Sequence, residues 1–208
     1  DTILFVKQTL ADAEGGHDWF HIERVYKNAL LIAKSESCDT LVVQLGALLH
    51  DIADSKFHGG DETIGPRTER NFLESQHVAE EVIVHVVQII ENISFKGGKT
   101  KRKFSSIELD IVQDADRLDA IGAIGIARAF NYGGFKNRAL YNPEFAPNLK
   151  MTKEEYKNSQ APTINHFYEK LLLLKDLMNT KKGEEIAAVR HDFMLKFLDQ
   201  FYSEWNVS

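Results

Sequence analysis

A histidine and an aspartate stand side by side where a strongly apolar segment ends. His50 and Asp51 follow the run LVVQLGALL at 41–49. A charge directly after so apolar a run costs free energy unless water or a cation compensates it. Imidazole and carboxylate are ligands that divalent metals accept, so the pair could form part of a metal site. The same pair is equally expected where a helix reaches the surface and both side chains are solvated.

Two further segments favour the metal. His21 borders the apolar stripe of a predicted helix instead of its solvated face. Three carboxylates, those of Asp114, Asp116 and Asp119, occur among apolar residues in VQDADRLDAIGAIGIARAF. One acid there could cap a helix or pair with Arg117, but three within six positions predict that at least one faces a cation.

Three strings in order along the chain resemble a known family. They are HDWFHIERV at 17–25, ALLHDIAD at 47–54 and DADRLDAIGAIGIAR at 114–128. Together they resemble the H…HD…D signature of the HD-domain superfamily of metal-dependent phosphohydrolases. They are most similar to a bacterial subgroup that includes enzymes cleaving nucleoside triphosphates to monophosphates and pyrophosphate. The resemblance covers about residues 15–135.

The resemblance implies a metal site with four ligands. Carried over position by position, these are His21, His50, Asp51 and Asp116. Asp116 is preferred to Asp114 because the family's last ligand stands in an Ala-Asp-x-Leu pattern. Such a set leaves coordination positions open for water and a phosphate oxygen, which suits one Mn²⁺, Mg²⁺, Co²⁺, Ni²⁺ or Fe²⁺ ion. The implied chemistry is attack of an activated water on a phosphoryl group.

Proton transfer and substrate binding need further residues. Asp51 and Asp54 are the candidate catalytic carboxylates. The candidate substrate and phosphate-binding residues are Arg24, Lys56, Ser94, Lys96 and Asp119. The expected substrate is a small phosphorylated molecule, a nucleotide.

Other functions remain open at this point. A nucleotide sensor without catalysis would keep the same ligands. A dinuclear iron oxygenase of the same superfamily would need His77 or His85 as additional ligands. His17 lies four residues before His21 but is expected to begin the helix. The chain has no G-x-S-x-G elbow, so nothing indicates covalent catalysis by a serine.

Helical periodicity dominates the elements that must position these residues, which predicts an all-α fold. We expect a single HD-type helical bundle domain over 1–208, with its core at about 15–135 and a C-terminal helical extension at about 150–208. The predicted helices are 18–37, 41–49 with its N-cap at Asp39 or Thr40, 78–93, 107–130, 153–179 and 184–205. A long irregular connection at 131–162 could serve as a lid or substrate loop.

The composition excludes several classes of function. A net charge of −6 argues against a general nucleic-acid binder, although a local cation can still hold a small phosphorylated ligand. No apolar run approaches the roughly 20 residues that span a bilayer, and the first ten residues lack the features of a secretory signal. With one cysteine, Cys38, we expect a cytoplasmic protein without membrane association. The C-terminal helical pair could supply a homodimer surface.

Overall fold

The computed structural model describes residues 1–11, 13, 16–52, 64–93, 104–152, 155 and 159–207. All regular elements in these ranges are helical and no strand occurs among them, which confirms the predicted all-α fold. The helices are α1 (Thr2–Thr9), α2 (Trp19–Ala33), α3 (Thr40–Leu49), α4 (Ile64–Ser75), α5 (Glu80–Ile93), α6 (Ile107–Asp119), α7 (Gly122–Phe135), α8 (Thr163–Glu169) and α9 (Lys181–Trp205), with a 3₁₀ segment at Leu171–Leu177. Within the described ranges, none of these helices is both long and apolar enough to cross a membrane.

The chain divides into two compact units, Asp1–Asp116 and Arg117–Ser208. In the first unit α3 is the central helix, and it packs against α1, α2 and α5. Its apolar sequence fits this position, because Val43, Ala47 and Leu49 have no exposed surface. The site residues that follow α3 are therefore carried by a helix that packing holds on several sides.

Asp39, one of the two N-caps that the sequence predicts, begins α3. Its Oδ1 accepts hydrogen bonds from the backbone N–H groups of Leu41 (2.9 Å) and Val42 (3.3 Å). The backbone N–H of Asp39 donates to Oε1 of Glu108 at 2.8 Å. Burial raises the pKa of the neighbouring Cys38 thiol, and the carboxylate of Glu108 raises it further. The start of α3 is thus capped and also tied to α6.

The prediction of one continuous helix over 107–130 is wrong. Ile121 has an extended backbone (φ −126°, ψ 167°), and Gly122 has φ +74°, which favours glycine. A Cβ at Gly125 would overlap the carbonyl oxygen of Ala120, so this glycine permits the close return of the chain. Helix α7 then continues to Phe135, so the irregular connection begins later than the predicted residue 131.

The prediction of one helix over 153–179 is also wrong for its described residues. Pro162 precedes the seven-residue helix α8, and Lys170 leaves the helical region with φ −145° and ψ −58° before the 3₁₀ segment begins. The predicted last helix corresponds to α9, whose N-cap Thr180 accepts a hydrogen bond from the N–H of Gly183 at 3.0 Å. Helices α1 and α4 were not predicted.

In the second unit α7 packs against α8 and α9. The rings of Phe130, Phe167 and Phe197 contact one another, with centroids 5.8–6.0 Å apart. Helices α7 and α8 approach closely at Gly133, where a Cβ would overlap Oγ1 of Thr163. A side chain at position 133 would force the two helices apart.

Candidate metal centre

Three predicted ligands lie together in the first unit. His21 stands in the first turn of α2, where its backbone N–H donates to the N-cap Asp18 at 3.0 Å. His50 is the C-cap of α3, and Asp51 follows it. One possible ligand atom from each of His21, His50 and Asp51 lies within 4.8 Å of the others. The first turn of α2 and the end of α3 therefore bring two imidazoles and a carboxylate close together.

The fourth predicted ligand, Asp116, approaches from α6. Its Oδ1 lies 3.6 Å from Nε2 of His21 and 3.9 Å from Nε2 of His50. Nε2 of His21 is also 3.9 Å from Oδ2 of Asp51. The structure thus brings all four predicted residues together, while their role as ligands stays a prediction.

The orientation of His50 fits a metal ligand. Its Nδ1 lies 3.0 Å from the carbonyl oxygen of Ala47, and an N–H at this position donates to that acceptor. The proton then sits on Nδ1, and Nε2 carries a lone pair. Nε2 of His50 is buried and has no hydrogen-bond partner among the described residues. A buried polar atom without a partner is uncommon, and a cation beside Nε2 would satisfy it.

The spacing also suits a metal. With metal–ligand bonds of about 2.1 Å, adjacent octahedral ligands are about 3.0 Å apart and opposite ones about 4.2 Å. The distances of 3.6–3.9 Å from Nε2 of His21 and of His50 to the carboxylate oxygens lie between these limits. Donor atoms at these separations could be drawn together by one divalent ion.

His17 is a neighbour of the site that sequence reasoning assigned to the helix start. It precedes α2, and its Nδ1 lies 3.6 Å from Oδ2 of Asp51. Its ring centroid is 6.0 Å from that of His21. In the sequence, the spacing of four residues between His17 and His21 could have indicated that His17 lies near the site. In the structure, His17 lies in the loop before α2 and not in the helix.

Four further site predictions lie outside the described residues: Asp54, Lys56, Ser94 and Lys96. Arg24 is half-buried in α2, one turn from His21. Asp119 is buried in the second unit, where its Oδ2 accepts a hydrogen bond from Nη1 of Arg128 at 2.7 Å. Each of these assignments stays a prediction.

The histidines that a second metal would require lie elsewhere. His77 is exposed in the turn before α5 and has φ 56°. Nε2 of His85 lies 2.9 Å from Oγ of Ser106 and 3.4 Å from Oε2 of Glu108. Among the described residues, neither histidine belongs to the group that could hold a metal.

Comparison with known proteins shows that the part of the chain that carries these residues matches a known family. The HD domain model matches residues 19–121, a range that contains all four predicted ligands. The chain is 39% identical over 204 residues to the protein YpgQ of Bacillus subtilis, covering 94% of this chain and 88% of that protein.

Solved structures resemble the whole chain. A protein from Lactobacillus plantarum matches with a TM-score of 0.83 at 37% identity, covering 100% of this chain and 96% of that one. An HD-superfamily hydrolase from Bacillus thuringiensis matches with a TM-score of 0.78 at 44% identity and the same coverage. YpgQ in complex with ADP matches with a TM-score of 0.77 at 34% identity, covering 100% and 99% of the two chains.

Proposed function

The chain belongs to the HD domain family, and from this premise we propose that it is a metal-dependent phosphohydrolase acting on a nucleotide. The similarity to an HD-superfamily hydrolase supports hydrolysis. The ADP bound to the relative YpgQ supports a nucleotide as the substrate class. A (deoxy)nucleoside triphosphate, cleaved to a monophosphate and pyrophosphate, is the proposed substrate.

One observation carries the proposal more than any other. Nε2 of His50 is buried without a hydrogen-bond partner in the described part of the chain, and it faces Oδ1 of Asp116 at 3.9 Å. His21, His50 and Asp51 could hold a divalent ion, and Asp116 would add a second carboxylate and leave coordination positions open. Such an arrangement supports a catalytic metal in preference to a closed structural site.

The four residues would hold the ion in distinct ways. Asp51 and Asp116 supply two negative charges, and His21 and His50 supply neutral nitrogen donors. When bound, the ion would lower the pKa of a water and offset charge on the phosphoryl group. Asp51 would also orient an attacking water, and the hydrogen bond to Ala47 keeps His50 in the tautomer that presents Nε2.

The negative charge that remains on the substrate needs cationic partners from the chain. Because the chain itself has a net charge of −6, these partners must form a local group of cations. We assign phosphate binding to Arg24, Lys56, Ser94 and Lys96. Asp54 is assigned to proton transfer with Asp51, and Asp119 to the substrate side of the site. These assignments rest on the positions of the residues in the sequence relative to the four predicted ligands.

A nucleotide panel tests the proposed function. Ribo- and deoxynucleoside tri- and diphosphates are incubated with Mn²⁺ or Co²⁺, and phosphate and pyrophosphate are measured separately. We expect pyrophosphate from triphosphates and a loss of about a hundredfold or more in Asp51→Ala, since even residues that only support a ligand cost 10–100-fold. Asp199→Ala, which removes an exposed carboxylate of α9, is the matched control and keeps full activity.

Equal inactivity of the wild type and Asp51→Ala across the panel would contradict the enzyme proposal. Nucleotide binding by the same wild-type sample without product formation would identify a sensor instead. The two results separate hydrolysis from binding at the same site.

A further inference from the structure

The second unit contains a cavity that the proposed function does not use. Its volume is about 410 Å³, and it lies between the loop at 141–147 and helices α8 and α9. Such a volume is in the range of sites that hold small molecules. Rings supply most of its described lining: Tyr141, Pro143, Phe145, Pro147, Tyr168 and Tyr202. The cavity therefore offers flat apolar faces to an occupant.

The described lining of this cavity carries no charge near pH 7. Tyrosine is the only ionisable residue type in it, and a tyrosine hydroxyl is ordinarily neutral at this pH. Burial raises the pKa of Tyr202, and a hydrogen bond to Tyr168 raises it further. A phosphate or an ammonium group in the cavity would lose water without gaining a counter-charge. The lining therefore favours an uncharged occupant over the triphosphate chain of the proposed substrate.

Asn165 of α8 places a side-chain amide in the wall of the cavity. The residue is 1% exposed, and its Nδ2 donates a hydrogen bond to the carbonyl oxygen of Phe145 at 2.9 Å. Its Oδ1 is buried and has no hydrogen-bond partner among the described residues. A buried oxygen without a donor is uncommon and costs free energy. An occupant that brings an N–H to Oδ1 would remove this cost.

Hydrogen bonds hold the loop that forms one wall of the cavity. Oδ1 of Asn142 accepts from the backbone N–H of Glu144 at 2.9 Å, and its carbonyl oxygen accepts from the N–H of Phe145 at 3.1 Å. Just after the loop, the N–H of Asn148 donates to Oε1 of Glu169 in α8 at 3.0 Å. A wall that is ordered before binding lowers the entropy that an occupant must lose.

We propose that this cavity binds an uncharged heteroaromatic molecule that carries a ring N–H. The ring packs against the tyrosine and proline faces, and it covers Phe145, which is 53% exposed. The N–H donates to Oδ1 of Asn165. A donor is selected because the Nδ2 end of this amide is already bonded to the loop. The site lies within the second unit and uses none of the four candidate metal ligands.

Indole and benzofuran are matched probes for this site, because they share size and shape and differ in a ring N–H against a ring oxygen. Titration of the ¹⁵N-labelled full chain in EDTA, followed by two-dimensional NMR, gives both dissociation constants and locates the amides that shift. We expect indole to shift amides of the loop and of α8. We expect benzofuran to bind about tenfold more weakly, since it offers Oδ1 no hydrogen bond.

Two variants locate the site. Ala146→Trp fills the cavity from an exposed loop residue and should abolish binding of both probes. Asn165→Leu removes Oδ1, so it should weaken indole about tenfold and leave benzofuran within about twofold. Asn131→Leu makes the same exchange at an exposed asparagine of α7, outside the lining, and should bind both probes as the wild type does. Far-UV circular dichroism checks the helices of each variant.

Four results would overturn the proposal: no shift of the loop and α8 amides with indole, equal affinity of the wild type for the two probes, indole binding that persists in Ala146→Trp, or displacement of indole by ATP. The last would make the cavity part of the nucleotide site. Because the titration measures binding in EDTA, its result does not depend on the proposed hydrolysis.

Discussion

The two ring nitrogens of His50 differ in their hydrogen-bond partners. Its Nδ1 pairs with the carbonyl of Ala47, and its Nε2 is left buried with no hydrogen-bond partner among the described residues. A histidine with a purely structural role would be expected to use both nitrogens or to expose one. The orientation of the ring therefore favours binding of a cation at Nε2.

Replacing this ring tests the metal site independently of catalysis. We expect Mn²⁺ to raise the midpoint of thermal unfolding of the wild type, because a ligand that binds only the folded state stabilises it. In His50→Gln this rise should be lost, while the midpoint in EDTA changes by only a few degrees. His77→Gln, at an exposed histidine, is the control and should keep the full rise. An equal rise in both variants would remove His50 from the site.

A second residue-scale prediction concerns Glu69, on the buried side of α4. Its side chain is 1% exposed, and its Oε2 has no hydrogen-bond partner among the described residues. Burial raises the pKa of this carboxyl to about 8 from its ordinary 4.5. Above pH 4.5 the unfolded chain releases this proton and the folded chain keeps it. The free energy of unfolding therefore falls as pH rises from 4.5 to about 8, by about 1 kcal/mol per unit.

Glu69→Gln keeps the size of the side chain and replaces the ionisable carboxyl group by a neutral amide. The stability difference between variant and wild type should grow in favour of the variant across this pH window, measured by urea unfolding in EDTA. Glu74→Gln, at an exposed residue of the same helix that pairs with Arg70 at 3.2 Å, is the matched control for the substitution. Parallel pH profiles for Glu69→Gln and the wild type would show that Glu69 ionises normally.

At the residue scale, the sequence predicted the positions that meet at the site but not every partner. His21, His50, Asp51 and Asp116 stand in specific local strings, and such strings can be read without knowing the fold. The burial of Glu69 could not be predicted from the sequence, because this residue lies in the polar segment IGPRTERNFLES and its burial depends on which side of α4 packs. A buried acid on a polar helix becomes visible only once tertiary contacts are known.

At the scale of elements, the caps were predictable and the breaks were not. Asp39 was one of the two predicted N-caps of α3, and Asp18 caps α2 in the same way, since each accepts a hydrogen bond from the backbone N–H three residues later. The break before Gly122 was missed because glycine tolerates both the helical and the left-handed backbone. Its choice of φ +74° follows from packing that periodicity alone does not contain.

Two adjacent glycines of α7 make the packing of this helix testable. A Cβ at position 133 would overlap Oγ1 of Thr163, whereas a Cβ at position 134 would meet nothing within 4 Å. We expect Gly133→Ala to lower the free energy of unfolding by about 1–3 kcal/mol through overpacking. Gly134→Ala should be neutral or stabilising by about 0.5 kcal/mol through its better helix propensity. Urea unfolding measures both, and equal effects would contradict the close approach of α7 and α8.

At the scale of the whole molecule, the candidate ligands come from distant parts of the chain. They lie on α2, at the end of α3 and on α6, so one ion would cross-link three helices. A ligand of this kind restrains local opening as well as global unfolding.

Hydrogen exchange can locate this restraint. Mn²⁺ should slow amide exchange most in α2, α3 and α6 of the intact protein, and EDTA should reverse the effect. Helix α9 carries none of the candidate ligands and provides the internal reference. Slowing of equal size in α9, or none in α2, would argue against a metal held by these residues.

The electrostatic effect of the Glu108 carboxylate on the Cys38 thiol, just before α3, has a consequence for chemical labelling. Burial, and then this carboxylate, raise the pKa of the Cys38 thiol, and alkylating reagents attack the thiolate form. The chain contains no other cysteine. A cysteine introduced on an exposed helix surface should therefore react faster than Cys38, so a fluorescent or spin probe could be attached selectively without first removing the native thiol.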